Sequence, residues 1–200
     1  VDDMVNRMIC IETGQNNVRV RTGQLTPAEW SQVLKAAEYI SGLDITLDYA
    51  HPASIQEIRA KVQRMAMLRA GLDLVVIDGI YKIGGAENDE QNRVRELEKI
   101  SDGLLTLARD PKIGAALVAT HQVKPGIKDR KDPRPTSEND LAWCSKIGQD
   151  ADTIIFIHRP GVLDEAFDIP NLTEITCVKA RNNITGSIAL NFDSAIPRFT

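Results

Sequence analysis

Polar side chains follow three apolar runs of this sequence, at the points where strands would end. Asp78 closes the run "LVVI", Gln122 follows "ALVATH", and Lys179 and Arg181 lie in "CVKARNN". In open α/β sheets the working residues collect just beyond the carboxyl ends of the strands. An aspartate there can hold Mg²⁺ through its water shell, and a neutral amide can sense a γ-phosphate or orient a water without adding negative charge. These residue types suit a nucleotide hydrolase.

Each of these residues also has a simpler interpretation. Four apolar residues followed by an aspartate form a common pattern, so Asp78 could equally cap the next turn. Gln122 could be a loop residue that faces solvent. Lys179 and Arg181 are two positions apart on a strand, so their side chains leave the same face. That pair could be a solvated sheet edge, or it could reach a phosphate bound by a neighbouring subunit.

A second set of candidates lies in the segment 124–140, "KPGIKDRKDPRPTSEND", which is rich in proline and charge. Across 124–134 five basic residues outweigh two acidic ones: Lys124, Lys128, Arg130, Lys131 and Arg134 against Asp129 and Asp132. Since the whole chain carries a net charge of -4, any contact with nucleic acid must come from such a local patch. The loop suits sequence-independent contact with the phosphates of single-stranded DNA. A solvated surface loop is the alternative.

Helix caps indicate where two helices begin and end. In "TPAEW", Thr26 caps a helix and Glu29 closes a capping box, and Gly42 ends that helix. In "SIQE", Ser54 repeats the device for a second helix, which stops at Gly71.

Strand patterns define the fold class. Short apolar runs rich in β-branched residues alternate with helices, which is typical of strands covered on both faces of a parallel sheet. The last strands follow each other closely around "NNITG", as in an antiparallel hairpin. We therefore predict an α/β fold with a mostly parallel sheet flanked by helices and antiparallel strands at the carboxyl-terminal edge. Met65 and Met67 are expected to fill the core.

Composition bounds the class of protein. The chain has 200 residues, 42% of them hydrophobic and 26% charged, which is enough for one globular domain. Cys10, Cys144 and Cys177 are odd in number and lack the spacing of a zinc site or a disulfide framework, so we expect a cytoplasmic protein without a structural metal. No run approaches the ~20 apolar residues that a membrane span needs.

The order of these motifs resembles the RecA-like ATPase domain of hexameric replicative DNA helicases of the DnaB type, over nearly the whole chain. "RTGQLTPAEW" is similar to the Arg-Thr-Gly-x-Leu segment of that family, "LVVIDGI" to its Walker B strand, and "VATHQ" to the strand that ends in a γ-phosphate-sensing glutamine. "QDAD" before an apolar strand resembles its strand entry, and "KARNNITG" its Lys-x-Arg-Asn-Gly segment. The last two together are the most specific.

The resemblance implies a role for each residue. Asp78 would hold Mg²⁺ and Gln122 would sense the γ-phosphate of ATP. Lys179 and Arg181 would be a finger pair that acts on ATP bound by the next subunit in a hexameric ring of identical subunits. The resemblance further implies translocation on single-stranded DNA, and contacts with primase and a helicase loader through regions outside this sequence.

The sequence departs from the family pattern in two places. It contains no G-x-x-x-x-G-K-[ST] phosphate loop, so we expect one RecA-like domain over 1–200 that is truncated on its amino-terminal side and inactive by itself. In "DLAWCSK", residues 142–146 replace the Arg-Glu-Ser-Gly-Ser stretch that helps the family grip DNA. Trp143 in this stretch could stack on a base or be buried in a helix.

Two other interpretations stay open. A RecA-like or RadA-like recombination ATPase would share the strand ends but not the succession of "QDAD" and "KARNN". A non-catalytic assembly module without a phosphate loop could dock its finger face onto intact subunits. A phosphate loop encoded upstream would favour the motor, and its absence would favour the module.

Overall fold

The computed structural model describes residues 2–50, 54–84, 90–142, 145–164 and 166–200. The helices are α1 (Asp2–Thr13), α2 (Asn17–Thr22), α3 (Pro27–Ser41), α4 (Ile55–Arg69), α5 (Glu90–Ala108), α6 (Ser145–Asp150) and α7 (Pro160–Leu163). The strands are β1 (Leu74–Ile77), β2 (Ala116–Ala119), β3 (Thr153–His158), β4 (Leu172–Ala180), β5 (Gly186–Asp193) and β6 (Arg198–Phe199). None of the helices in these ranges combines the length and the apolarity required to cross a membrane.

Within the described ranges the strands form two hydrogen-bonded groups. β1 and β2 are parallel, with Leu74 opposite Ala116 and Ile77 opposite Ala119. β3, β4, β5 and β6 follow one another in a second sheet, in which β5 and β6 are antiparallel. β4 and β5 are neighbours joined by a short turn, which requires antiparallel strands. The predicted α/β class, with antiparallel strands towards the carboxyl terminus, is confirmed.

Contacts divide the chain into two compact units. The first comprises Val1–Tyr49, Ile157–Ile175 and Ile188–Thr200, and the second comprises Ala50–Phe156 and Thr176–Ser187. A hydrophobic cluster in the first unit contains the buried residues Ile9, Cys10, Val20, Val33 and Ala36. The core of the second unit is built by α4, the turn after β1, α5 and the segment that leads into β2. Its residues are Ile55, Ile58, Ala66, Ile80, Ile83, Leu97, Ile100, Leu104, Leu107, Ile113 and Ala115. The assignment of 1–200 to one domain stays a prediction.

Helix α3 begins at the predicted capping box. The Glu29 amide donates to the Thr26 hydroxyl at 3.3 Å, and the Thr26 amide donates to the Glu29 carboxylate at 2.7 Å. Both carboxylate oxygens of Glu29 also accept hydrogen bonds from Arg19 of α2, each at 2.8 Å. The bonds from Arg19 and Thr26 lower the pKa of Glu29 to about 2. The cap therefore ties α2 to the start of α3.

Helix α4 also begins as predicted and ends slightly early. The Ser54 hydroxyl accepts a hydrogen bond from the Glu57 amide at 3.2 Å. The last cap is Ala70, which takes the left-handed conformation with φ 56°, so the predicted stop at Gly71 lies one residue late. Because Ala70 has a Cβ atom, it bears the steric cost of the left-handed conformation that a glycine would avoid.

The two methionines of α4 do not share an environment. Met65 is half-buried, whereas Met67 is 80% exposed. The prediction that Met67 fills the core is therefore wrong. Side chains two positions apart on an α-helix point about 200° apart, because each residue turns the helix by about 100°. The two-residue spacing of Met65 and Met67 therefore does not place them on one face of a helix.

The parallel pair β1 and β2 buries only one of its faces. Val75 and Leu117 are opposite each other and pack against the core of the second unit. Val76 and Val118 are opposite each other on the other face, and they are 60% and 50% exposed. The prediction of strands covered on both faces is therefore wrong for this pair in the described part of the chain.

Gly103 lies where α5 packs against α4, and its lack of a side chain matters there. A Cβ on Gly103 would lie 2.3 Å from Cγ1 of the buried Ile55. We expect Gly103→Ala to lower the free energy of unfolding by about 1–2 kcal/mol, because overpacking outweighs the better helix propensity of alanine. Urea denaturation measures this change. Gly126→Ala, with no atom within 4 Å of the new Cβ, is the control. Unchanged or higher stability of Gly103→Ala would contradict the close packing.

Candidate functional site

The carboxyl ends of β1 and β2 bring Asp78 and Thr120 together. The strands are parallel and end level, with Ile77 opposite Ala119, so the next residue of each strand emerges at the same edge. The Thr120 hydroxyl donates to Oδ1 of Asp78 at 2.5 Å. Asp78 is exposed, which leaves its carboxylate open to solvent on the remaining side. An oriented, solvent-facing carboxylate suits a cation that keeps part of its water shell.

Gln122 follows Thr120 by two positions and lies next to the same strand ends. Its side chain is exposed and has no hydrogen-bond partner among the described residues. Its backbone carbonyl accepts from the Ala142 amide at 2.9 Å, which fixes the main chain. The side chain is therefore available to a ligand while its backbone is held in place.

His121 is tied to the same segment. Its Nε2 lies 2.8 Å from the Ala142 carbonyl oxygen. Burial lowers the pKa of His121, so the imidazole is neutral near pH 7. Because a carbonyl can only accept, Nε2 carries the proton and donates. Nothing in the spacing of His121 and Ala142 predicts this contact.

Lys179 and Arg181 leave one face at the end of β4. Lys179 reaches the end of α6, and Arg181 reaches the connection between α6 and β3. The Lys179 ammonium donates to the carbonyls of Gly148 and Gln149 at 2.6 and 3.0 Å. The Arg181 guanidinium pairs with Asp152 at 2.6 Å. The side chain of Lys179 is 26% exposed and that of Arg181 is 46% exposed. Lys179 is thus bound into the fold, and Arg181 is the more open of the two cations.

The four predicted nucleotide residues fall into two groups. Asp78 and Gln122 lie at the ends of β1 and β2, whereas Lys179 and Arg181 lie at the end of β4. No hydrogen bond or ion pair among the described residues joins the two groups. No cluster of three His, Cys, Asp or Glu side chains suited to a metal ion occurs in the described ranges. A cation at Asp78 would therefore take its other ligands from water or from a phosphate.

The basic loop contains two kinds of cation. Arg130 and Arg134 are held by carboxylates, at 2.6 Å from Asp140 and 2.7 Å from Asp132. The lysines are exposed and make no ion pair within the part of the chain that the structure describes: Lys124, Lys128 and Lys131. Trp143, the candidate for base stacking, lies outside the described residues. The three lysines are thus the cations of this loop whose charge no carboxylate of the described residues shares.

Asp140 is a buried carboxylate that the sequence analysis missed. It is 2% exposed and accepts hydrogen bonds from Arg130 at 2.6 Å, from the Thr136 amide at 2.8 Å and from the Ser137 amide at 3.3 Å. Burial by itself raises the pKa of Asp140, but the bonds from these donors outweigh it and hold the pKa below the ordinary value. The spacing of Ser137 and Asp140 is that of a capping box, which was the available signal.

Comparison with known proteins decides the family. Residues 1–200 match the family described as "DnaB-like helicase C terminal domain". The chain belongs to this family. The replicative DNA helicase DnaC of Bacillus subtilis (strain 168) is 31% identical over 198 residues, and the replicative DNA helicase DnaB of Geobacillus stearothermophilus is 32% identical over 196 residues. These matches cover 99% and 98% of this chain but only 43% and 42% of those relatives, so the chain spans less than half of their length.

Solved structures establish the fold of this DnaB-like domain. One solved ATPase domain has a TM-score of 0.86 at 24% identity, with 98% of this chain and 68% of that chain covered. A DnaB-like replicative helicase, solved in a study of its interactions with primase, has a TM-score of 0.85 at 24% identity, with 98% and 46% covered. The predicted RecA-like fold and the family resemblance are confirmed. The roles of individual residues stay predictions.

Lys179 and Arg181 should differ in what they contribute to the stability of this DnaB-like domain. Lys179→Ala leaves the carbonyls of Gly148 and Gln149 without their charged donor, so we expect the free energy of unfolding to fall by about 1.5–3 kcal/mol. Arg181→Ala breaks an exposed pair and should cost at most about 1 kcal/mol. Urea denaturation of both variants tests this difference. Equal losses would show that Lys179 is not an anchor.

Proposed function

We propose that this chain is part of the ATP-dependent motor of a replicative DNA helicase, which moves along single-stranded DNA within a hexameric ring of identical subunits. The observation that carries the proposal is the arrangement at the ends of β1 and β2, where the exposed Asp78 carboxylate is oriented by Thr120 beside the unpartnered side chain of Gln122. Membership of the DnaB-like family supports the same activity.

The residues at these strand ends fit one side of a bound Mg²⁺ and ATP. Mg²⁺ is usually held by one or two carboxylates together with phosphate oxygens and water, and Asp78 offers one such carboxylate. Gln122 would face the γ-phosphate with a neutral amide. ATP would supply the phosphoryl transfer to water that drives movement. Because the sequence contains no phosphate loop, we expect this chain alone to bind ATP weakly and not to hydrolyse it.

Arg181 is proposed as the finger that acts on ATP held by the neighbouring subunit, with Lys179 as its anchor. Head-to-tail interfaces that close into a ring present different surfaces on the two sides of each subunit, which permits such an arrangement. An arginine placed at a transferring phosphoryl group stabilises the charge of the transition state. The more open position of Arg181 and the two hydrogen bonds of Lys179 to backbone carbonyls support this division of roles.

Single-stranded DNA would bind along the basic loop. We assign standing phosphate contacts to Lys124, Lys128 and Lys131, whereas Arg130 and Arg134 share their charge with carboxylates of the same loop. Primase and a helicase loader are further proposed partners, contacted through regions outside this sequence. A cytoplasmic location is proposed, and the free thiols of Cys10 and Cys177 are consistent with it.

A non-catalytic assembly module is the second candidate. The exposed apolar face around Val76 and Val118 favours it, because such a face suits docking of another protein segment. A recombination ATPase is not proposed further, since the chain belongs to the DnaB-like family.

Arg181 can be tested in a form of the protein extended upstream to include a phosphate loop. We expect hydrolysis of ATP stimulated by single-stranded DNA, and Arg181→Ala should slow it at least ~100-fold while nucleotide binding persists. Arg109→Ala, at an exposed arginine of the turn after α5, is the matched control. If the extended wild type never hydrolyses ATP, the motor assignment fails and the assembly module is favoured.

Mixed rings distinguish action on the neighbour from action within one subunit. Equal amounts of Arg181→Ala and Asp78→Asn subunits should recover about a quarter of the wild-type sites, because about half of the sites retain Asp78 and about half of those face an intact Arg181. No recovery above the two single variants would show that Arg181 acts within its own subunit.

The three lysines can be tested through the salt dependence of binding. Each phosphate contact on a single strand contributes about 0.7 to the slope of log K against log salt, so replacing Lys124, Lys128 and Lys131 together by Ala should reduce the slope by about 2. Fluorescence anisotropy of a labelled oligothymidine over a series of KCl concentrations measures it. The control carries the same charge change at three exposed lysines outside the loop: Lys35, Lys99 and Lys112. Equal slopes for both triple variants would exclude the loop as the DNA contact.

A further inference from the structure

The segment that carries Gln122 is held by the segment around Asp140. The Lys124 amide donates to the Asp140 carbonyl, and the Ala142 amide donates to the Gln122 carbonyl, both at 2.9 Å. The His121 ring donates to the Ala142 carbonyl at 2.8 Å. Val123 and Leu141, which lie between these bonds, form an antiparallel bridge. The backbone of the candidate γ-phosphate sensor is thus fixed by residues 140–142 rather than by β2 alone.

The carboxylate of Asp140 in turn binds several parts of the basic loop. It accepts from Arg130 near the middle of the loop and from the amides of Thr136 and Ser137 near its end. Its own backbone carbonyl accepts from Lys124 at the start of the loop. One buried residue therefore contacts the beginning, the middle and the end of the segment that is proposed to bind DNA.

The ion pair between Arg130 and Asp140 has one exposed partner and one buried partner. The side chain of Asp140 is 4% exposed, whereas that of Arg130 is 45% exposed. A DNA phosphate can approach the guanidinium of Arg130 from solvent, but it cannot reach the carboxylate. A phosphate that draws Arg130 towards itself reduces the positive charge beside Asp140. Asp140 belongs to the segment 140–142, whose backbone hydrogen bonds hold Gln122.

We propose that Asp140 is a positioning residue that couples the basic loop to Gln122, with Arg130 as the solvent-facing half of the link. The proposal rests on the proposed function, because it needs the loop to face DNA and Gln122 to face ATP. In this arrangement a phosphate that engages Arg130 shifts residues 140–142, and the hydrogen bonds to Gln122 and Lys124 transmit that shift. DNA binding thereby adjusts the sensor without touching it.

Asp140 also caps the short 3₁₀ turn Glu138–Asp140, so the test must separate capping from coupling. Asp140→Asn keeps a side-chain oxygen that can accept from Thr136 and Ser137, but it removes the charge that holds Arg130. Asp132→Asn is the matched control, since Asp132 pairs with the exposed Arg134 of the same loop.

The activity test uses the protein extended upstream to include a phosphate loop. The readout is the ratio of ATP hydrolysis with oligothymidine to hydrolysis without it. We expect Asp140→Asn to lower this ratio by about fivefold or more and Asp132→Asn to keep it within about twofold of wild type. Arg130→Gln should lower the ratio as Asp140→Asn does, and the double variant should lose no more than either single one, because two residues that act as one pair are not additive.

A structural test on the 200-residue chain uses hydrogen exchange. In Asp140→Asn the amides of Lys124 and Ala142 should exchange about tenfold faster, while amides in the middle of α5 exchange as in wild type. If Asp140→Asn does not fold, Arg130→Gln tests the same pair from its exposed side.

The outcomes separate the coupling from the proposed function. A wild type without DNA-stimulated hydrolysis overturns the proposed function, and the coupling falls with it. A stimulated wild type whose ratio survives both Asp140→Asn and Arg130→Gln overturns the coupling and leaves the function standing. Unchanged exchange at Lys124 and Ala142 shows that Asp140 does not position the segment, whatever the activities are.

Discussion

The parallel, level pairing of β1 and β2 is the constraint on which the candidate nucleotide site depends. Because Ile77 lies opposite Ala119, the residues that follow both strands emerge at one edge, and the hydroxyl of Thr120 meets the carboxylate of Asp78. A slip of one residue would turn the buried and exposed faces of a strand over. The pair is held in register by its packing of Val75 and Leu117 on the core between α4 and α5.

Two carboxylates near this edge have opposite environments, which matches the different roles proposed for them. Asp78 is exposed and accepts one side-chain hydrogen bond, so its charge is well solvated and available to a cation. Asp140 is buried, and an ionised carboxylate in that position persists only when donors replace the lost water. Arg130 and the amides of Thr136 and Ser137 are those donors. The carboxylate of Asp140, whose oxygens have several donors, holds the backbone around it in place. The carboxylate of Asp78, which has one side-chain donor, remains open to a ligand.

The sequence predicted the features whose cause is local. A capping box depends on residues three apart, so the sequence predicted the one formed by Thr26 and Glu29. A strand followed directly by Asp78 is also a local pattern, and the sequence predicted it as well. Hydrogen bonds and ion pairs between distant segments were not predicted. Nothing in the spacing of Arg130 and Asp140, ten residues apart across a proline-rich loop, indicates that they meet, nor that Lys179 bonds to carbonyls thirty-one and thirty residues away. Such contacts depend on how the elements pack.

The same limit applies to the two cations on one face of β4, which have different partners. The spacing of Lys179 and Arg181 predicts a shared face but not the surroundings of either charge. Lys179 meets two carbonyls at the end of α6, where the helix dipole also favours a positive charge, and it is thereby held in place. Arg181 meets Asp152, whose side chain is 68% exposed, and an exposed ion pair of this kind contributes at most about 1 kcal/mol. A phosphate offers the guanidinium a stronger, bidentate partner than a solvated carboxylate does. The weak pair with Asp152 therefore does little to hold Arg181, and the finger role proposed for Arg181 requires a guanidinium that can exchange its partner for a phosphate.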